Sequence, residues 1–548
     1  MNNRKLWWIG FILLLAAGCT PEEPFEEKNL ALNLDYELSI PASEQYPDAG
    51  GELTDGILGG VVYTDDNWQG HEGQLRRTVT FDLKERKSIS RITAHFLQGA
   101  AYSIRVPLNL TISVSNDGEK WGTLATIPTE VSPDSELSKR QTFEWNGAED
   151  GVPGSDRHEM VYAQYVKVSF LVDGWVLLDE IEIWGTDGKR RAAAEVRPDQ
   201  EPVADMQYMR AGEQTGNIHD LILFYNGQYP SNLGDWRKEQ FVPYVGYVDE
   251  NGKPSDFMFD GGLFLGIWSK YHRSFVEGET PGNMKDWLWY LDKTFGEEGD
   301  AGKLNEAVKE VAEQLGQPEY RMKVVFMIPY PAPNQDDFGD IDGDGKSENF
   351  AQGFSRSIMA ANEDRKKAVK WYIDELMKRW DESAYGHLEL TGLYWMNESI
   401  NSLEEQVVQY ASELVRERDL IFYWIPYFTA RGVRSWERLG FDAVALQPNH
   451  FFNNTEPVQI QRSAELSQMV RVGVEIELDD RVFTDASFKQ RYIDYLNGGI
   501  DFGFDGDVFR AYYQDIRTLQ KAAESTESER REVYDWTYQF MNGQYEKK

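Results

Sequence analysis

The chain has 548 residues, too many for one ordinary domain and enough for two or three. An apolar content of 41% with 17 Trp, 28 Tyr and 28 Phe is ample for large cores and excludes a disordered chain. A formal net charge of −36 repels phosphate backbones, so it argues against nucleic acid as a partner and favours a neutral or weakly charged ligand over a strongly polyanionic one.

At the N-terminus, Arg4-Lys5 precedes the apolar stretch Leu6 to Leu15, followed by Ala16-Ala17-Gly18-Cys19. The run is too short to span a bilayer. It resembles a bacterial lipoprotein signal, which implies that residues 1–18 are removed and that Cys19 carries lipid. Residues 19–30 form a tether whose Thr20-Pro21-Glu22-Glu23 resembles the acidic leader of surface-exposed lipoproteins of Bacteroidetes. The implied location is the outer membrane, cell-surface exposed, with membrane lipid as a partner through Cys19. Cys19 is the only cysteine, so no thiol is left for a disulfide, a thiolate nucleophile or a zinc-thiolate site.

Residues 31–186 show short alternating runs between turn residues: Thr78 to Leu83, Ile89 to Phe96, Leu108 to Val114, Tyr165 to Leu171 and Ile181 to Trp184. Period-two alternation of this kind predicts an all-β sandwich. Leu53-Thr54-Asp55-Gly56, Trp68, Ser115-Asn116-Asp117-Gly118, Trp121 and Asp179-Glu180-Ile181-Glu182-Ile183-Trp184-Gly185 give it a resemblance to the discoidin, or galactose-binding-like, sandwich. That resemblance implies ligand loops at one end, with Asp55, Trp68 and Trp175 as members. The competing reading makes Trp68 core and Asp55 part of a turn that caps a loop or holds structural Ca²⁺.

A polar stretch, residues 187–214, reads as a linker. From 215 to 545 the period changes. Eight apolar runs follow: Asp220 to Asn226, Met258 to Gly266, Lys323 to Pro331, Leu390 to Glu398, Leu420 to Phe428, Ala443 to Pro448, Val470 to Glu477 and Ile500 to Asp505. Helical spacing separates several of them, at Lys366 to Trp380, Leu403 to Glu417, Phe488 to Leu496 and Val508 to Ala523. Together they predict a (β/α)₈ TIM barrel, so the fold class is multidomain, a sandwich followed by a barrel.

Catalytic groups of such a barrel belong where the strands end. That rim reads Tyr225, Asn226, Asp260, Tyr330, Asn397, Glu398, Tyr427, Gln447, Asn449, His450, Glu475, Glu477 and Asp505, a polar ring suited to hydroxyl groups. Glycosidic cleavage needs one carboxylic acid to protonate the leaving oxygen and one carboxylate beneath the anomeric carbon. Asn397-Glu398 on the fourth run, with Glu475 or Glu477 on the seventh, resembles the largest superfamily of retaining barrel glycosidases. The resemblance implies Glu398 as acid/base, Asn397 on the sugar 2-hydroxyl and a glutamate of the seventh strand as nucleophile. Strand length favours Glu477 over Glu475, and Asp260 with Asp505 is the alternative acid pair.

In the loop after the third run, Asp340, Asp342 and Asp344 with Gly345 match the front of a calcium loop, but Ala351 stands where its closing Glu belongs. The loop is therefore either a Ca²⁺ site or a plain Asp-Gly turn, and the chemistry itself calls for no cofactor. The whole arrangement resembles a family of Bacteroidetes lipoproteins found among glycan-degradation genes, with no activity attached to it. The expectation is a surface-tethered, retaining glycoside hydrolase acting on a complex glycan. The alternative is a surface lipoprotein that binds glycan without cleaving it, and a third reading is a structural surface protein with a degenerate barrel.

Overall fold

In the N-terminal unit, alternation along the chain becomes the strands Arg76–Gln98, Asn109–Ser115, Trp121–Pro128, Lys139–Asn146, Met160–Leu171 and Trp175–Asp187, with shorter ones completing a ten-stranded, mainly antiparallel network. The computed structural model describes residues 26–548 except 74, 100–101, 132–134, 136, 173, 200–206, 297, 352–355 and 454–455. Cys19, the signal-like segment and the start of the tether lie outside the described residues. The runs around Thr78 and Ile89 are one long strand, in which Ile92 pairs with Trp145 on one side and Ile183 on the other. Phe96 packs edge-on against Phe143 and Phe170, with centroids 5.4 and 5.3 Å apart, at the centre of a fully apolar core.

A second unit runs from Glu201 to Lys548. Its eight parallel strands close into a barrel: β1 (Asp220–Tyr225), β2 (Gly261–Leu265), β3 (Met322–Ile328), β4 (Leu388–Trp395), β5 (Ile421–Trp424), β6 (Ala443–Leu446), β7 (Gly473–Glu477) and β8 (Arg510–Tyr513). Pairing of Ile222 with Tyr512 closes the ring. Most of these residues are buried because helices cover the outside and side chains fill the inside. No helix among the described residues is long and apolar enough to cross a membrane.

Seven of the eight apolar runs overlap the strand expected of them. The eighth does not. Residues 500–502 are the end of a helix, Ala486–Phe502, which stops at Gly503 in a left-handed conformation with φ 78°. Glycine there costs no Cβ clash, so the helix ends cleanly. The strand comes later, at Arg510–Tyr513, inside the span expected to be helical, and only Thr518–Ala523 of that span is helix. The apolar run was read with the wrong period, because a short apolar stretch fits either element.

A bulge in β4 matters for the site. Val324 pairs with Leu390 and Val325 with Gly392, which leaves Thr391 unopposed. The extra residue resets the alternation that follows, so Tyr394 and Met396 face the barrel interior. Gly392 permits this close pairing, since a Cβ there would sit 2.2 Å from the carbonyl oxygen of Ile421.

Candidate functional site

A cavity of about 500 Å³ opens at the C-terminal ends of the strands. Side chains one pleat apart along the strands line it: Leu223 and Tyr225 from β1, Tyr394 from β4 with Met396 just beyond it, Glu475 and Glu477 from β7, and Tyr513 from β8. Gln447, Tyr427 and Phe452 complete the wall from the loops that follow β5 and β6. Tyr513 packs edge-on against both Tyr225 and Phe452, at 5.6 and 5.2 Å.

Three glutamates meet here in different circumstances. Glu398 lies just beyond β4, its backbone fixed through Asn397, whose carbonyl accepts the Trp424 indole N–H at 2.8 Å. Its side chain is exposed, but it stands in a concave wall, so water reaches it from the mouth while protein surrounds it elsewhere. That surrounding raises its pKa, and the facing Gln447 amide opposes the rise.

Glu475 is buried, 2% exposed, and makes no hydrogen bond to the described protein. Burial, then repulsion from Glu477 and Glu398, holds its carboxyl well above the usual range. Glu477 is fully buried and anchored: the Tyr495 hydroxyl donates to Oε2, and that phenol accepts the His450 backbone N–H at 3.2 Å. The backbone N–H groups of Asn449 and Phe451 favour its ionised form without closing a bond to Oε1, which has no partner. Burial wins, and the Glu477 carboxyl also titrates above the ordinary range.

The hydroxyls of Tyr225, Tyr394, Tyr427 and Tyr513 likewise make no hydrogen bond to the described protein. They, Glu398 and Glu475 are polar groups that the fold leaves for a ligand.

The remaining rim residues have other places. Asn226 is fully buried, donating to Thr294 and Asp300 at 3.0 and 3.3 Å and accepting from Tyr290 at 2.8 Å. Tyr330 donates to Glu404 at 2.6 Å behind the wall. Asn397 lines the cavity, yet its amide nitrogen is committed to the Ser399 carbonyl at 2.7 Å and to Glu404 at 3.2 Å, so it has no proton for a sugar hydroxyl. Glu404 also receives Arg365 at 3.0 Å, and this buried network sets the loop that carries Glu398. Asn449 contributes backbone, with φ 56°, and the His450 ring lies 3.1 Å from Asp494 rather than in the cavity.

Asp260 and Asp505 are at the wrong end. Asp260 precedes β2 and accepts the backbone N–H groups of His219 and Asp220, and Asp505 precedes β8. The alternative acid pair therefore falls. Tyr513 ends the strand Arg510–Tyr513, inside the span expected to be helical, although the run Phe509-Arg510-Ala511-Tyr512-Tyr513 carries a strand signal. Tyr495 sits on a helix and leaves no mark at strand ends.

For metals, carboxylate oxygens of Asp340, Asp342 and Asp344 lie within 4.8 Å of one another. Asp340 accepts the N–H groups of Gly343, Asp344 and Gly345, and Asp342 pairs with Lys367 at 3.1 Å, so a folded Asp-Gly turn already satisfies much of this loop. In the sandwich, Asp55 accepts the Ile57 N–H at 2.7 Å and lies against Glu180, whose Oε2 is buried without a partner. Those two carboxylates could hold a cation. Trp68 is core, 1% exposed, with its indole N–H on the Val62 carbonyl, which removes it from the ligand loops. Trp175 is half-buried and edge-on to Tyr46.

The model of a family described as a domain of unknown function (DUF4855) matches residues 220–539. Curated proteins give no match. Among solved structures, SpGH29 is 19% identical with a TM-score of 0.20 over 29% of this chain, which spans 28% of that chain. CpGH89CBM32-6, produced by Clostridium perfringens, is 23% identical with a TM-score of 0.19 over 29% of this chain and 99% of that one. The lectin domain of lectinolysin complexed with Lewis B antigen is 15% identical with a TM-score of 0.21 over 28% and 95%.

Proposed function

This chain belongs to the family described as a domain of unknown function (DUF4855), and we propose that its barrel is a retaining glycoside hydrolase acting on a complex glycan. The observation that carries the reading is the meeting of Glu398 with Glu475 and Glu477 in one aromatic cavity at the C-terminal end of the barrel. Glu398, raised and open to the cavity, is the acid: it protonates the glycosidic oxygen as the bond to the anomeric carbon breaks and its electron pair goes to that oxygen. One β7 glutamate, ionised while its neighbour keeps the proton, attacks the anomeric carbon to form a glycosyl ester. Water then attacks that carbon, Glu398 takes its proton, and the β7 carboxylate leaves.

Two features support Glu475 as the nucleophile. Its carboxyl is held by no hydrogen bond among the described residues, and β6–β7 pairing of Leu446 with Val474 sets it beside Gln447, which faces Glu398. Glu477 then acts as the fixed second carboxyl, oriented by Tyr495. Tyr225, Tyr394, Tyr427 and Tyr513 bind hydroxyl groups and stack on sugar faces. The protein is further proposed to be a lipoprotein of the outer membrane, exposed at the cell surface through Cys19.

The test is a screen of polysaccharides and their oligosaccharides, with Glu398→Gln as the control and NMR of the first-formed anomer. Retention of configuration and a dead Glu398→Gln are expected. A carboxyl separation of about 5 to 5.5 Å in a crystal structure would agree, whereas about 6.5 to 9.5 Å would turn the mechanism to inversion. Glu475→Ala rescued by azide, with a glycosyl azide as product, would assign the nucleophile, and rescue of Glu477→Ala instead would reassign it. No product from any glycan, with affinity unchanged in Glu398→Gln, would leave a non-catalytic glycan-binding protein.

A further inference from the structure

A carboxylate inside a protein is ordinarily matched by a cation or by several N–H donors, because an unpaired buried charge is costly. The cavity departs from this. Among the described residues that line it there are four glutamates, Glu277, Glu398, Glu475 and Glu477, and no lysine, arginine or histidine. Among the described residues Glu475 has no hydrogen-bond partner, and Oε1 of the fully buried Glu477 is unpartnered. Of the two cations nearest along the chain, Arg471 is exposed at the end of the helix that precedes β7, and Arg481 is spent on Asp479 at 2.6 Å.

The two β7 glutamates share one strand face, two residues and about 6.6 Å apart along the strand. Such spacing suits one carboxylate under the anomeric carbon and the second beside a substituent on the neighbouring carbon. The surrounding phenols present ring faces, which attract a cation as well as a sugar.

We infer that the site takes a glycan carrying free amino groups, a 2-amino sugar without its acetyl group, whose ammonium supplies the cation that Glu475 and Glu477 lack. This rests on the hydrolase reading for the position of the anomeric carbon, but not for the charge match. A neutral sugar leaves both carboxyls uncompensated, and an N-acetyl group replaces the charge by an amide. A uronic acid adds a fifth carboxyl to the four already present and brings no cation.

The experiment is calorimetric titration of the full chain with 2-amino-sugar oligosaccharides of gluco and galacto configuration and their N-acetylated forms, using Glu398→Gln to prevent turnover. The free-amine form should bind at least about tenfold more tightly than its N-acetylated counterpart, and added salt should weaken it. Glu477→Gln should reduce that preference to about threefold or less. Should that variant fail to fold, as read by its melting curve, Glu475→Gln and the salt dependence carry the same test.

Equal or tighter binding of the N-acetylated form, or no binding of any amine, overturns the inference. Cleavage of neutral glycans by the unmodified protein with no amine preference overturns it while sparing the hydrolase. Amine binding without any product sinks the hydrolase and leaves the inference standing.

Discussion

At the N-terminal end of the barrel strands, Asp220 is gripped by two guanidinium nitrogens of Arg510, at 2.7 and 3.0 Å, and by the Tyr512 hydroxyl at 2.8 Å. Asp260 beside it accepts two backbone N–H groups. At the C-terminal end, Glu475 and Glu477 are just as buried, yet no cation answers them among the described cavity residues. Both ends carry acids on the same scaffold, and only the pairing differs. Acids whose bonds are satisfied hold the barrel shut. Acids left unsatisfied are held ready for something that arrives from outside.

The largest effect should come from the rim. Glu398→Gln removes the general acid, and turnover on a cleaved glycan should fall by about 10² to 10⁴-fold. The melting temperature should stay put, since this exposed side chain holds no other part of the fold in place. A loss of stability instead would erase the contrast between the two ends.

Arg510→Met tests the opposite end. It strands the Asp220 carboxylate in the barrel floor, and urea unfolding should show a loss of about 3 to 5 kcal/mol, with activity per folded molecule unchanged. Tyr495→Phe is smaller. It deprives the Glu477 carboxyl of its one side-chain donor, an expected cost of about 1 to 3 kcal/mol with a drop in turnover, read from unfolding and initial rates on the same preparation.

The last contrast is in pH. Burial raises both β7 glutamates above their unfolded values, Glu477 to about 8, with Glu398, Tyr495 and Tyr513 facing them. A carboxyl raised on folding binds its proton more tightly in the native state. Its contribution is therefore full below the unfolded pKa of about 4.3 and is lost as pH rises towards 8. Melting temperature should fall across that window by a few degrees, and the double variant Glu475→Gln, Glu477→Gln should flatten the curve. An unchanged slope would mean that cavity water relieves these acids.

Much of this was legible in the sequence. The barrel could be read from eight apolar runs because strands buried on both faces leave near-continuous apolar stretches. Glu398, Glu475 and Glu477 were found because they end such runs. Strand eight was misread, since the apolar stretch from Ile500 belongs to the last turn of a helix, and with it Asp505 was put at the rim and Tyr513 missed. Asp260 shows a related error: the apolar run around it was correct, but the strand starts after the aspartate, which places the residue at the opposite end. Asn226 and Tyr330 do follow their strands, yet each turns outward into a hydrogen-bond network that no linear pattern reveals.

By itself the sequence determined the two kinds of unit and the strand ends on which the acids sit, because periodicity and burial are local properties written along the chain. Tertiary structure alone decided which acids lack partners. Glu404 and Glu475 are both buried glutamates of the barrel, but one meets Arg365, Tyr330 and two asparagines while the other has no hydrogen-bond partner among the described residues. A carboxylate's environment is set by side chains arriving from distant strands and helices, and closing the barrel is what brings them together.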